Sequence, residues 1–267
     1  MKIINIYNWG KVLLGIGIDP RKLYSLRHLK RYFDEASRFR AKGGKINHLY
    51  PIFSDYSDQA GSARGHYFHQ DLHVASLIFR DDPVRHIDVG SRIDGFVSHV
   101  ASFREIEVCD VRDLHDTGHE NIKFIKLDLM DETLVTDSLA DSISCLHALE
   151  HFGLGRYGDK IDPMGHIKGL KNLVRMLKNN GCLYLGIPIG IKDDVFFNAH
   201  RVFRPETFLG WCNDLSLKLM RFDYVDDQGA LHKNYDYSAG WPNVHYGCGI
   251  FTFNKIDSSV NLVKNRN

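Results

Sequence analysis

A chain of 267 residues with 43% hydrophobic and 25% charged side chains has the makeup of a soluble globular protein, long enough for one α/β domain with an extension. The net charge of +1 hides an asymmetry: residues 1–48 carry +8 and the remainder −7. An acidic body behind a basic leader argues against nucleic acid as a partner, and no apolar run approaches the length of a membrane span.

Residues 1–65 read as a basic, largely helical N-terminal extension. Within it Leu23, Leu26, Leu29, Tyr32, Phe33 and Ala36 recur at helical spacing over 21–42, and Gly43 and Gly44 stop the helix. Such a leader suits peripheral contact with a membrane surface, a phosphorylated substrate, or simply solvent. The apolar stretch Val12–Ile18 is short, holds two glycines and precedes no small-residue cleavage site, so no signal peptide is expected. Residues 45–65 are polar and turn-rich and predict a loop.

From residue 66 to 256 strand and helix patterns alternate. A helix leads in through Gln70–Phe79. Strands are predicted at 84–89, 105–110, 122–127, 141–147 and 182–187, the last stopping at Pro188. Helices are predicted at 92–102, 163–178 and 205–213, with a short one before residue 140. Runs at 217–225 and 247–254 have no helix between them and should pair antiparallel at one edge. The pattern predicts an α/β fold: a Rossmann-like, seven-stranded mixed sheet, mostly parallel with an antiparallel C-terminal edge strand, and helices on both faces. Residues 257–267 form a polar tail. Cys109, Cys145, Cys182, Cys212 and Cys248 are widely spaced, odd in number and without a CxxC pair, which reads as reduced core thiols in a cytosolic setting.

One stretch points to a ligand. The apolar strand through His86, Ile87, Asp88 and Val89 runs into a turn at Gly90, Ser91 and Arg92, and about twenty residues later a second strand ends on Asp110. A glycine turn lets backbone approach a ligand, and an acid at the next strand end can hold ribose hydroxyls, so the order predicts a nucleotide-like cofactor.

These residues resemble the class I S-adenosylmethionine-dependent methyltransferases over roughly residues 66–255. Asp88-x-Gly90 resembles the first motif of that family, Asp110 its ribose-binding acid, and Leu127-Asp128-Leu129 its adenine-contacting segment. Leu149-Glu150-His151 is similar to the motif that closes strand four, and the run from Leu177 to Leu183 to the turn into strand five. Tyr67–Leu72, Gly153–Asp159 and Asn198–Phe203 further resemble an uncharacterised methyltransferase-like subfamily, a domain of unknown function. The first motif departs from the family pattern, because Arg92 and Asp94 replace its second and third glycines while Gly95 follows one place late. Either the loop is shifted around the same cofactor, or the pocket has changed its ligand.

The resemblance implies S-adenosylmethionine as cofactor, with Asp88, Gly90, Ser91, Arg92, Asp110, Asp128, Leu129 and His147 as binding residues. Three histidines at the predicted strand ends, His147, His151 and His200, are candidate bases for deprotonating a hydroxyl acceptor, with His200 the leading one. Arg156, Tyr157 and Asp159, set among Gly153, Gly155 and Gly158, form a candidate substrate loop suited to a sugar or phosphate, and Arg201 is a further acceptor contact. Tyr67, His69, Gln70 and Asp71 form either a lid or, for Asp71, a helix cap. No metal is expected: at a plausible site the histidine spacing of zinc type is that of His147 and His151, and this pair straddles a strand end. The leading expectation is O-methylation of a small-molecule or glycan-type hydroxyl, as in polysaccharide biosynthesis, in the cytoplasm or at the inner membrane face. The alternatives are an NAD-dependent oxidoreductase and a non-catalytic binding module.

Overall fold

The computed structural model describes residues 24–56 and 60–257. By packing, the chain divides between Ser62 and Ala63 into two units. In the first unit, the helix expected over 21–42 is found as α1, Leu29–Ala41, led by a 3₁₀ turn at Leu26–His28. Residues 21–23, like 1–20 of the leader and 258–267 of the tail, lie outside the described residues. The α1 helix ends where Gly43 takes φ +85°, a conformation costly for a residue with a Cβ, and Gly44 N–H closes on the Phe39 carbonyl at 3.0 Å.

The second unit opens with α2, His66–Asp81. Its residues Val74, Ala75, Leu77 and Ile78 are buried, so this face sets the helix on the sheet. Then follow β1 (His86–Val89), α3 (Ser98–Ala101), β2 (Ile106–Asp110), β3 (Ile122–Lys126), β4 (Ala140–Leu146), α4 (Gly165–Met176) and β5 (Leu177–Ile189). A hairpin of β6 (Asp194–Phe196) and β7 (His200–Val202) leads to α5 (Pro205–Asp214), β8 (Leu217–Val225), β9 (Leu231–His232) and β10 (Gly247–Lys255). Among the described residues, no helix is long and apolar enough to cross a membrane.

The main sheet has the order β3-β2-β1-β4-β5-β10-β8-β9. Strands β1 to β5 pair in parallel, while β10 pairs antiparallel to both β5 and β8. The expected mixed sheet is therefore present, with β10 inserted between β5 and β8 and the two-residue β9 as an eighth, edge strand. Helices cover both faces. On one, α2 and α3 meet Ile106, Val108, Leu146, Tyr184, Val225 and Ile250; on the other, α4 and α5 pack through Leu170, Leu173, Phe208 and Cys212 on Ile87, Ile143, Leu185 and Phe251.

Two local differences from the periodicity have clear causes. The helix expected over 92–102 is broken into a π turn at Ile93–Val97 followed by α3, and the break falls on Gly95 (φ −122°, ψ −106°). A Cβ at Gly95 would stand 2.6 Å from Asp71 Oδ2, so any larger residue would push the Asp71 carboxylate of α2 aside. Strand β5 does not stop at Pro188 but runs to Ile189, since the Pro188 carbonyl still accepts from Phe203 N–H at 3.0 Å.

Polar contacts also pin α2. The Asp223 carboxylate on β8 is fully buried and accepts from His73 Nε2 of α2 at 3.1 Å, from Arg221 Nε and Nη2 at 2.7 Å, and from Asn234 N–H at 2.6 Å. Burial alone would raise its pKa, but hydrogen bonds from His73, Arg221 and Asn234 outweigh that and hold it down at about 2.

Candidate active site

The strand order reverses direction between β1 and β4, and in such sheets ligands bind in the crevice beyond the carboxyl ends of the strands. A cleft of about 530 Å³ lies there, walled by Gly90, Asp110, Asp128, Leu129, Met130, His147, His151, Tyr157 and Asp159. The turn after β1 explains why the cleft is open. Gly90 has φ +72°, and a Cβ on it would stand 2.7 Å from the Ala148 Cβ across the crevice.

Asp88 and Ser91 do not wall this cleft. Asp88 is buried and accepts from Ser91 N–H at 3.0 Å and from the Ser91 and Ser144 hydroxyls at 2.6 Å. Burial pushes its carboxyl up to about 6 against those three hydrogen bonds. Both residues therefore hold the turn, and Ser91 also lines a neighbouring hollow that shares Asp110 and Arg112 with the cleft. Arg92 pairs with Asp94 at 2.9 Å and lies over the Tyr67 ring; it is not in the wall of this cleft but lines the neighbouring hollow with Ser91, Asp94 and Asp110. The two charged residues that replace glycines thus leave the hollow beside Gly90 free.

At the tip of β2 the Asp110 carboxylate accepts from Arg112 N–H, Nε and Nη2 at 2.7–2.9 Å, and the Arg112 guanidinium lies 4.3 Å from the centre of the Tyr157 ring. Arg112, which sequence reasoning missed, thereby lines the mouth of the cleft. Asp128, past β3, accepts from Met130 N–H at 2.8 Å, and Leu129 is buried in the same wall.

Past β4 the chain turns sharply. His147 takes φ +51° while its N–H donates to the Gly186 carbonyl at 2.7 Å, which swings the imidazole over the end of the sheet. Its Nδ1 lies 2.9 Å from Glu150 Oε1, and the same oxygen lies 3.6 Å from His151 Nε2. Burial opposes charge on His147, yet the Cys248 sulfur and the Glu150 carboxylate hold its pKa well above the ordinary histidine range. Burial likewise opposes the Glu150 charge, and His147 and His151 overcome it, so Glu150 titrates below the usual range. His151 Nδ1–H donates to the Ala199 carbonyl at 2.7 Å, which leaves Nε2 as the unprotonated nitrogen of the neutral ring. Burial lowers the pKa of His151.

A second hollow adjoins the cleft, lined by His66, Tyr67, His147, Glu150, His151, Arg156, Tyr157, His200 and Tyr246. His147, His151 and Tyr157 belong to both walls, so the two spaces share a seam of three side chains. His200 is half-buried against Phe196 and Tyr246, and burial lowers its pKa. Asp159 folds its loop by accepting from Gly153, Gly155 and Tyr157 N–H. Arg201 is corrected: it is buried and donates to the Glu150, Phe152 and Pro163 carbonyls, away from both hollows. Asp71 is no helix cap, because α2 starts at His66 and Asp71 lies in its second turn. His66, Glu150 and Tyr246 were not foreseen as site residues, although Glu150 stands inside a quoted motif.

A family profile described as Caenorhabditis protein of unknown function, DUF268, matches residues 105–230. No match was found among curated proteins. Several solved structures share the fold. The 1,6-didemethyltoxoflavin-N1-methyltransferase of Burkholderia thailandensis, with bound 1,6-didemethyltoxoflavin and S-adenosylhomocysteine, is 12% identical, with 89% of this chain and 91% of that one covered and a TM-score of 0.52. The [4+2]-cyclase SpnF is 15% identical over 88% of this chain and 95% of its own, with a TM-score of 0.53. A putative methyltransferase from Bacillus halodurans C-125 is 13% identical over 69% and 100%, with a TM-score of 0.50. The chain has the fold of the class I S-adenosylmethionine-dependent methyltransferases.

Proposed function

We propose that this chain is an S-adenosylmethionine-dependent methyltransferase acting on a hydroxyl of a small or glycan-type acceptor. The fold alone does not set the reaction, since a [4+2]-cyclase shares it. The observation that carries the reading is the shared seam of His147, His151 and Tyr157 between the cleft beside Gly90 and a histidine-lined hollow. The cleft residues fit the cofactor: Gly90 leaves the space that a Cβ would fill, Asp110 presents an acid to ribose hydroxyls, and Asp128, Leu129 and Met130 form a partly apolar wall for adenine. When bound, the cofactor supplies an activated methyl group on a sulfonium.

The chain's own part is to place an acceptor oxygen on the other side of the seam and remove its proton. His151 is the base in this reading: its tautomer is set by Ala199, and the Glu150 carboxylate 3.6 Å from Nε2 stabilises the imidazolium that forms. Tyr157, Arg156, His200 and Tyr246 supply aromatic and hydrogen-bonding surface for a polyhydroxylated acceptor.

Thermal unfolding with S-adenosylhomocysteine and, separately, NAD⁺ tests the cofactor. Saturation near a hundred times Kd adds about 2.7 kcal/mol, a shift of roughly 5–10 °C for a domain of this size. Stabilisation by NAD⁺ instead would make the chain an oxidoreductase, and stabilisation by neither would make it a binding module. We further propose that the basic N-terminal segment meets the inner membrane face, because α1 interleaves Arg31, Arg38 and Arg40 with Leu29, Phe33 and Phe39. Equal partition onto anionic and neutral vesicles would refute this contact.

A further inference from the structure

Three donor side chains that the sequence keeps far apart meet beneath the acceptor-side hollow. His66 opens α2, His147 follows β4, and Cys248 is the second residue of β10. Because β10 runs against its neighbours, its first residues lie at the same end of the sheet as the last residues of β4 and β5; Cys248 stands opposite Pro188. Gly186 on the intervening β5 carries no side chain, and a Cβ there would overlap Gln70 Oε1, so this strip of sheet stays open for α2. One ligand-capable atom from each of His66, His147 and Cys248 lies within 4.8 Å of the other two.

The middle residue of the three supplies an independent sign of a ligand. The His147 side chain is only 5% exposed, and its Nε2 has no hydrogen-bond partner among the described residues. Buried polar atoms are rarely left in this state without a ligand or water to satisfy them. The Cys248 thiol donates to Gln70 Oε1 at 3.4 Å, and its sulfur lies within 4.8 Å of a His147 ring nitrogen. On the opposite side of the ring, Nδ1 is held at 2.9 Å by Glu150. A carboxylate that orients one imidazole nitrogen so that the other is presented bare is the outer-shell arrangement of metal-bound histidines. The His66 ring stacks on the His147 ring at 5.3 Å, with 4° between the planes.

We propose that His66, His147 Nε2 and Cys248 Sγ form a two-nitrogen, one-sulfur site for a thiophilic divalent cation of the zinc class, with its fourth position open to the acceptor-side hollow. Imidazole and thiolate together select zinc over magnesium or calcium, and three protein ligands with one open position are the pattern of reactive zinc sites. Bonds of about 2.0–2.3 Å bring such donors to roughly 3.5 Å from one another, so binding requires side-chain shifts of about 1 Å. Binding releases to solvent the Cys248 thiol proton and the Nε2 proton of the His147 imidazolium, whose Nδ1–H stays on Glu150, and the cation is then held by a thiolate and two neutral imidazoles. The open position faces Tyr67, Glu150, His200 and Tyr246. Resting on the methyltransferase reading, that position would take the acceptor oxygen and lower its proton affinity before His151 acts.

Cobalt titration of the purified, chelator-treated full chain tests the site, because a thiolate bound to Co²⁺ gives a sulfur-to-metal charge-transfer band. One equivalent is expected to produce the band, and Zn²⁺ to abolish it. Cys248→Ser should lose the band and His66→Gln should weaken Co²⁺ binding at least tenfold, whereas Cys182→Ser keeps both. Glu150→Gln should weaken Zn²⁺ binding about tenfold to a hundredfold, which a purely structural carboxylate would not. No band in the unmodified chain, or a band that persists in Cys248→Ser, overturns the proposal. S-adenosylhomocysteine affinity, measured on the same samples, is expected to stay within twofold in Cys248→Ser, so failure of the metal site and failure of the methyltransferase reading are told apart.

Discussion

An Asp110→Ala chain is expected to bind S-adenosylhomocysteine about a hundredfold more weakly than the unmodified chain. The carboxylate stands at the tip of β2 in the wall of the cleft beside Gly90, where two ribose hydroxyls can each donate to it. Hydrogen bonds to a charged acceptor contribute about 1.5–3 kcal/mol each, and part of that is offset because Arg112 must release the same oxygens. The substitution should spare the fold. Its hydrogen bonds run only to Arg112, two residues along the same surface segment, and the Arg112 side chain is about half exposed. Isothermal calorimetry reads the affinity, and matched unfolding curves establish that the variant is intact. An unchanged Kd would move the adenosyl group away from β2 and take the cofactor assignment of the whole cleft with it.

The second large effect concerns stability. Asp223→Ala should lower the free energy of unfolding at pH 7 by about 3 kcal/mol, roughly a hundredfold in the folding equilibrium. It removes the acceptor shared by His73, Arg221 and Asn234, and His73, 4% exposed, is left without a partner. Arg221 is partly open to water and recovers solvation, which keeps the loss at the lower end of the range for a broken buried pair. The pH dependence has a definite sign. Asp223 has a folded pKa of about 2, below its ordinary 3.8. Its contribution is therefore complete above pH 4 and lost as pH falls toward 2. Urea unfolding from pH 7 to pH 2.5 should show the gap between parent and variant narrowing only at the acid end. A gap independent of pH would mean that Asp223 acts through packing and not through its charge.

Much of the architecture was legible because it depends on local pattern. Alternating apolar strands and the stripe Leu170, Leu173, Val174 were enough for β1 to β5 and α4, and burial of those residues is what the pattern reports. The insertion of β10 between β5 and β8 was not legible, because strand partners are chosen by distant segments and leave no periodic trace. The same holds at Gly95, where the backbone leaves helical geometry close beneath Asp71 of α2 in a stretch whose local spacing favours a helix.

The site divides along the same line. Gly90, Asp110, Asp128 and the Leu149-Glu150-His151 turn are visible because each sits at a strand end, and strand ends can be read from the chain. Whether Arg92 and Asp94 plug the hollow was a question of side-chain direction, decided by their pairing with each other at the surface. Arg201 looked like an acceptor contact beside His200, yet alternation along β7 sends it toward buried carbonyls.

By itself, then, the order of residues determined the secondary elements, the mixed sheet and the edge of it at which a ligand binds, since all three follow from hydrophobic period and from where strands end. Tertiary structure alone decided which side chains share that edge. His66, His147 and Cys248 come from a helix start, a strand tip and the first turns of an antiparallel strand, and only the folding of the sheet brings them within 4.8 Å. A ligand set drawn from three distant elements has no spacing in the chain to betray it, because its geometry is set by strand order and not by sequence separation.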